Sequence, residues 1–438
     1  MNLHRGGRRR LAFAEFLHHQ STGGILLFAS AVAALVWANG PWKEGYHHLW
    51  EHTITLTFDR YTLRGTLHHW INDGLMALFF FVVGLELKRE VVGGELSRPR
   101  DALLPVAAGM GGMLVPAALY LAFNHVGEAH AGWGIPMATD IAFAVGVMSL
   151  LGDRVPTGLK IFLTTLAIAD DLGAVLVIAL FYTSDISLHN LLIGVAFLAV
   201  LWGGNRLGVR NPWFYALFGI AGMWTAFLLS GIHATIAGVL AAFTIPAETR
   251  MDEPAFVARI KRHITAFADL EPNGKPTLSE DQLEVIQRIE ADCERAATPL
   301  QRLEKALHPL VAFGVMPLFA LANAGVALPD DPLGAITSPV ALGVGIGLAI
   351  GKPLGIVLTV LLLLRLGVGR LGAGITRAHL LGMGFLAGIG FTMSLFVNEL
   401  AFADPLLREE AKLGILLASL LAGAIGYLLL RRLPPSAA

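Results

Sequence analysis

Cysteine occurs only once in this sequence, at Cys293, so no intrachain disulfide can form, and that residue falls in a charged stretch where a plain free thiol is expected. Charge is scarce too: 15% of residues are charged against 55% hydrophobic. A soluble chain of this length needs more polar surface than that, so a mean hydropathy of +0.63 places the chain in a membrane. The net charge of −1 says nothing about partners. No cleavable leader is expected either, because the apolar run after "RRRLAFAEF" is of full span length and its only A-x-A, Ala31 to Ala33, lies inside it.

What is abundant is apolar sequence in span-sized pieces. Windows of about 19 residues give strong spans near 21–38, 69–87, 102–123, 157–181, 191–205, 307–328, 340–366 and 411–430. Weaker ones, interrupted by Gly, Pro or polar residues, lie near 132–151, 213–230, 232–246 and 379–402. The expected class is an all-α membrane protein of about twelve transmembrane helices. Basic residues are strongly one-sided. With the N-terminus inside, the inner segments hold Arg5, Arg8, Arg9, Arg10, Lys88, Arg89, Arg98, Arg100, Arg154, Lys160, Arg206, Arg210, the nine in 250–305, and Arg365, Arg370, Arg377, Arg431 and Arg432. The outer segments hold only Lys43, Arg60, Arg64, Arg408 and Lys412, so both termini are expected in the cytoplasm.

The expected organisation is a cytoplasmic tail over 1–20, helices 1–8 over 21–249, a cytoplasmic insert over 250–298 and helices 9–12 over 299–438. Within the first block, alternating "TITLTF", then Asp59-Arg60, then "YTL" predicts an outer-surface β-hairpin near 45–67. His47, His48 and His52 beside it read as wetted surface histidines. The insert carries helical patterns at "FVARIKRHITAF" and "LSEDQLEVIQRIEADCERA", with Ser279 placed to cap the second and Gln282 behind it.

Two interrupted spans matter most. "GWGIPMATDIAFAVG" (132–146) and "LLGMGFLAGIGFTMSLF" (380–396) put Gly, Pro, Thr or Asp in mid-membrane. Each is the middle span of a three-helix group, helices 3–5 and 10–12. Broken helices in matching positions of two halves point to an inverted-repeat transporter with its site at the midplane; close packing of small residues is the plainer account of Gly and Ala there. Charge decides between them. Each charge within a span costs about 2.5–3.5 kcal/mol on insertion scales, and Asp140, Asp170, Asp171 and Lys352 all lie within spans. Part of that is structural: helix ends at the breaks attract charges of opposite sign, and Asp140 with Lys352 fits such a neutralising pair.

The doublet Asp170-Asp171 in "TTLAIADDLGAVLVIALF" needs more. Consecutive helical residues sit about 100° apart, so both carboxylates can border one cavity. Two so close repel when both are ionised, which favours holding a proton or a hard cation between them. If proton and cation compete for that seat, and it opens to either side in turn, obligatory exchange results.

Long stretches of the chain resemble the NhaA family of Na⁺/H⁺ antiporters: "WINDGLMALFFFVVGLELKRE" (70–90), "GIPMATDIAFAVG" (134–146), "KIFLTTLAIADDLGAVLVIALFY" (160–182), "SGIHATIAG" (230–238), "LEKALHPLVAFGVMPLFALANAGV" (303–326), "IGKPLGI" (350–356) and "GIGFTMSLF" (388–396). The match leaves out only the 250–298 insert. The resemblance implies a homodimer in the bacterial inner membrane, with helices 4 and 11 unwound and crossing. It implies electrogenic export of Na⁺ or Li⁺ against H⁺, with lipid as surroundings, no cofactor and no nucleic acid. By motif position, Asp171 would be the cation and proton carrier, with Na⁺ or Li⁺ held at Asp170 and Asp171. Thr139 and Asp140 would come from the unwound helix, and Lys352 would pair with Asp170 or offset helix dipoles. Asp73 and Glu86 would lie on the ion pathway. Glu90, His233, Arg302 and Glu304 would take part in the pH response, although Gln301 stands where a basic residue is familiar. Two rival readings fit less well: a sodium-coupled solute symporter, which needs a roomy organic site with no signal here, and an intramembrane aspartyl protease. The protease's Tyr-Asp and Gly-x-Gly-Asp contexts are absent around Asp140 and Asp170.

Overall fold

A computed structural model describes residues 4–58, 61–183, 186–270, 277–328, 331–372 and 374–434. The chain is overwhelmingly helical. Among the described residues, nine helices are long and apolar enough to cross a bilayer, or ten when the bent pair Arg377–Ala387 and Phe391–Ala401 counts as one. Two further apolar helices fall outside that number for physical reasons. Met76–Gly93 carries Glu86, Lys88, Arg89 and Glu90 within one length of helix. Ala234–Thr244 has 11 residues and so spans only about 17 Å.

Expected boundaries move where caps override hydropathy. The span expected over 307–328 begins at Pro299 and ends at Asn323, because Thr298 accepts from the Gln301 backbone N–H at 3.1 Å and starts the helix two turns before the apolar run. Within it, residues Val311–Val315 form a π-helical turn just before Pro317. A second π-helical turn, Gly347–Gly351, precedes Pro353. Proline lacks the N–H and crowds the carbonyl four residues back, so the preceding turn widens. The second of these turns sets Lys352 at the head of the helix Lys352–Arg365.

The hairpin forms from β1 (Thr53–Phe58) and β2 (Tyr61–Thr66), antiparallel, with Thr53 opposite Thr66 and Phe58 opposite Tyr61. Its tip, Asp59-Arg60, lies outside the described residues. At the opposite end of the bundle the insert folds as two helices, Glu253–Ala268 and Glu280–Ala296, packed on each other. Ser279 and Gln282 make a reciprocal capping box. The buried Asp292 holds the pair together, with Arg259 at 3.3 Å, His263 at 3.1 Å and Arg295 at 3.3 Å.

Helices in the bundle approach closely where glycines face. A Cβ on Gly355 would collide with the Gly111 carbonyl, and one on Gly111 would lie 2.7 Å from the Gly355 carbonyl. Packing of this kind replaces the hydrophobic effect as the source of helix association in lipid. It brings the helix Pro99–Phe123 against Lys352–Arg365 and, on its other side, against Thr157–Phe181.

Candidate ion-binding site

Both interrupted spans break where the sequence predicts. The first consists of a 3-10 stretch, Glu128–Met137, extended backbone through Ala138, Thr139 and Asp140, and the helix Ile141–Ser149. The second stops at Ala387 and resumes at Phe391, bent by 44°. Exposed backbone polar groups cannot be left unpaired in lipid, and here each break satisfies the other. The Asp140 N–H donates to the Ile389 carbonyl at 2.7 Å, and the Ser394 hydroxyl donates to the Ile135 carbonyl at 2.8 Å. The breaks can touch because Gly390 has no side chain; a Cβ there would sit 3.2 Å from the Ala138 carbonyl.

Asp140 serves two helix starts at once. Its Oδ1 accepts from the Phe143 N–H at 2.9 Å, and its Oδ2 accepts from the Thr392 N–H at 3.2 Å and from the Thr392 hydroxyl. A carboxylate suits these two positive helix ends. Lys352 takes the complementary place, donating to the Met137 carbonyl at the end of the 3-10 stretch. The expected neutralising pair of Asp140 and Lys352 is therefore not a direct contact. Each compensates a helix end of its own, and the charge partner of Lys352 is Asp170, with Nζ 2.8 Å from Oδ2 and both side chains fully buried.

Asp170 and Asp171 project from the helix Thr157–Phe181, and neither is exposed. The Thr139 hydroxyl lies 2.9 Å from Asp170 Oδ2 and 3.0 Å from the Ala387 carbonyl, so its single hydrogen links the doublet to the second break. Among the described residues, Asp170 Oδ1 and both oxygens of Asp171 have no hydrogen-bond donor. Four ionisable groups and one hydroxyl thus converge from three elements, the first break and the helices Thr157–Phe181 and Lys352–Arg365.

A cavity of about 80 Å³ touches this region from the insert end; its lining includes Glu86, His308, Asp140, Met316 and Met393, but neither Asp170 nor Asp171. Other expected residues lie further out. Asp73 accepts from or pairs with His69 at 3.0 Å near the hairpin end. At the insert end, Arg89 bonds both Glu90, at 3.0 Å, and Glu304, while Arg302 reaches Glu294 of the insert at 2.8 Å. His233 is not with them. It sits at the other end of the bundle, its Nε2 2.6 Å from the Tyr182 carbonyl.

Glu399 was not expected as a site residue. It is nearly buried, with Lys412 at 3.1 Å and Arg408 at 3.5 Å. Its signal in the sequence is a lone acid in "FVNEL", inside the expected span 379–402.

Comparison with known proteins follows the same line. A family model described as Na⁺/H⁺ antiporter 1 matches residues 14–430. The chain is 50% identical over 420 residues to the Na(+)/H(+) antiporter NhaA of Oleidesulfovibrio alaskensis, covering 96% of this chain and 93% of that protein. It is 50% identical over 419 residues to the protein of the same name from Acidithiobacillus ferrooxidans, covering 95% and 96%. The NhaA 1 antiporter of Psychromonas ingrahamii is 46% identical over 423 residues, 96% of each chain.

Proposed function

The chain belongs to the Na⁺/H⁺ antiporter 1 family and is a sodium/proton antiporter, a multi-pass transporter and not an enzyme, and on that premise we propose how its residues carry the exchange. Asp171 is the shared seat of cation and proton. The observation that carries this reading is its full burial with both carboxylate oxygens lacking a donor. A buried carboxylate without partners is too costly to stay bare, so it holds either a proton or a cation. A hard cation such as Na⁺ or Li⁺ takes oxygen ligands, and the free oxygens of Asp171 and Asp170, with the Thr139 hydroxyl beside them, supply that chemistry.

Asp170 is kept charged-neutral overall by Lys352, and Asp140 locks the two breaks, so the doublet sits in a frame already compensated at its helix ends. A cation approaches from the insert end past Glu86 and His308. Its binding displaces protons from the doublet. Re-orientation of the broken spans then exposes the loaded seat at the hairpin end, where protons displace the cation in turn. Asp73 lies on that outer route. The full reading is a homodimer of twelve-helix protomers with inverted repeats and crossing broken helices. It is embedded in lipid of the bacterial inner membrane with both termini cytoplasmic, exports Na⁺ or Li⁺ electrogenically, and is tuned by pH through Glu90, Arg302, Glu304 and His233.

The test is Na⁺-dependent collapse of a pH gradient in proteoliposomes, comparing the intact chain with Asp171→Asn. Na⁺ should release protons only through the intact chain. Equal responses from two folded proteins would remove Asp171 from the exchange.

A further inference from the structure

The outward half of the second broken span, Phe391–Ala401, places residues 392, 396 and 399 on one face, four and then three positions apart. Thr392 ties that face to Asp140. One turn on, Phe396 is fully buried, its ring 5.5 Å from that of Phe80 and 6.2 Å from that of Phe319. One further turn brings Glu399 to the hairpin end. The cavity that reaches Asp140 comes from the opposite end, so in this conformation the face from Thr392 to Glu399 is the shut side.

Two polar sets meet there. Glu399 belongs with the last helix, Pro405–Arg431, through Lys412 and Arg408, and Lys412 also reaches Glu409 at 3.3 Å. On the other side, His68 Nε2 lies 3.0 Å from Asn323 Oδ1, Asn323 donates to Asn72 Oδ1 at 2.9 Å, and Asn72 Nδ2 returns to His68 Nδ1 at 3.3 Å. That closed triangle joins the segment after β2 to the end of the helix that starts at Pro299. The sets touch through His68 Nε2 and Glu399 Oε2, 3.9 Å apart, directly above the Phe396 contacts.

We propose that His68 and Glu399 form a latch that holds the hairpin-end gate shut, so that the contact must part before the site opens on that side. The inference rests on the antiport reading, since a gate of this kind has meaning only for a site that opens alternately. The arrangement explains why a carboxylate already served by two cations of its own group faces a histidine of the other. Lys412 and Arg408 position Glu399, and the residual contact crosses the line along which the groups would separate. Neither residue touches the Asp170-Asp171 doublet, so loosening the latch changes how often the site faces each way, not how it binds.

The experiment reconstitutes the intact chain, His68→Gln, Glu399→Gln and the double variant in vesicles. Reaction of the exposed Cys293 with a membrane-impermeant maleimide marks which face is outward. Half-saturating Na⁺ is then measured separately at each face. Releasing the latch should lower the half-saturating Na⁺ at the hairpin face by about 1.5- to 5-fold, the range of one weak, partly exposed polar contact, while the insert face changes far less. The double variant should match the single variants. His68→Gln keeps an amide for Asn323 and so guards against misfolding. Unchanged values at both faces, equal changes at both faces, or effects that add in the double variant would each overturn the latch. Absence of exchange in the intact chain would instead overturn the antiport reading.

Discussion

Lys352 Nζ stands 2.8 Å from Asp170 Oδ2 with neither group exposed, while Asp171, next to Asp170 in the chain, is just as buried and has no hydrogen-bond donor among the described residues. One carboxylate of the doublet therefore has a charge partner, and among the described residues the other has none. That asymmetry, on one turn of one helix, is the basis for proposing Asp171 as the seat, with Asp170 Oδ1 beside it.

Removing Lys352 should cost stability out of proportion to one side chain. In Lys352→Ala, Asp170 is left buried without its charge partner, which typically costs about 3–5 kcal/mol. Replacing both partners by neutral polar groups, Asp170→Asn with Lys352→Gln, should restore most of that loss. Thermal unfolding in detergent checks it, and a Lys352→Ala protein as stable as the intact chain would contradict the pairing.

The breaks make a second prediction. Thr392 gives Asp140 two donors, its N–H and its hydroxyl. Thr392→Val deletes the hydroxyl at constant shape and should destabilise by about 1.5–3 kcal/mol, the range for a hydrogen bond to a charged group. Thr392→Ser should recover it. Melting curves of the two variants, compared side by side, distinguish a lost hydrogen bond from a packing defect.

Much of this was legible in the sequence. Asp140, Asp170, Asp171 and Lys352 announced themselves because charge in an apolar run is expensive, and "GIPMATDIAFAVG" and "GIGFTMSLF" announced breaks because they put Gly, Pro or polar groups in mid-span. From the residues alone, who pairs with whom was not legible; the family resemblance offered Asp170 as one partner for Lys352. Asp140 and Lys352 look like partners by charge alone, yet each lies at a helix end that only the folded breaks create. Glu399 escaped notice because one acid near the end of a span resembles an interfacial residue; it is surrounded by His68 from the segment after β2 and by Arg408 and Lys412 from the last helix. His233 joined the pH-response residues by motif, whereas the chain carries it to the end of the bundle away from Glu90 and Glu304.

The insert should loosen on acidification. Partial burial pulls Asp292 up, but the His263 hydrogen bond and the charges of Arg259 and His263 outweigh it and hold its carboxyl below the ordinary carboxylate range. A folded-state value below the unfolded one means that the stabilisation is present above the ordinary range and lost as pH falls through and beneath it. Asp292→Asn should remove that dependence. Hydrogen exchange of residues 253–268 across an acid series gives the comparison: protection should fall with pH in the intact insert and be low and flat in the variant.

Deleting 252–297 should leave the exchange chemistry intact and move its pH dependence. The ends of the insert stand side by side, since the Arg250 N–H donates to the Arg295 carbonyl at 3.1 Å, so closing the gap strains little. What the deletion removes is Glu294 from Arg302, two residues before Glu304 and its bond to Arg89. A single exposed ion pair contributes at most about 1 kcal/mol of stability. It does, however, set the local charge at the mouth through which the cation enters, and freeing Arg302 makes that mouth more positive. Protons are disfavoured there, so acids at the mouth ionise at lower pH and the activity profile should shift towards acid pH while the maximal rate changes little. Proton release measured from pH 6.5 to 8.5 in proteoliposomes reads both quantities. Loss of all exchange in a folded, correctly inserted deletion would show that the insert belongs to the transport machinery itself.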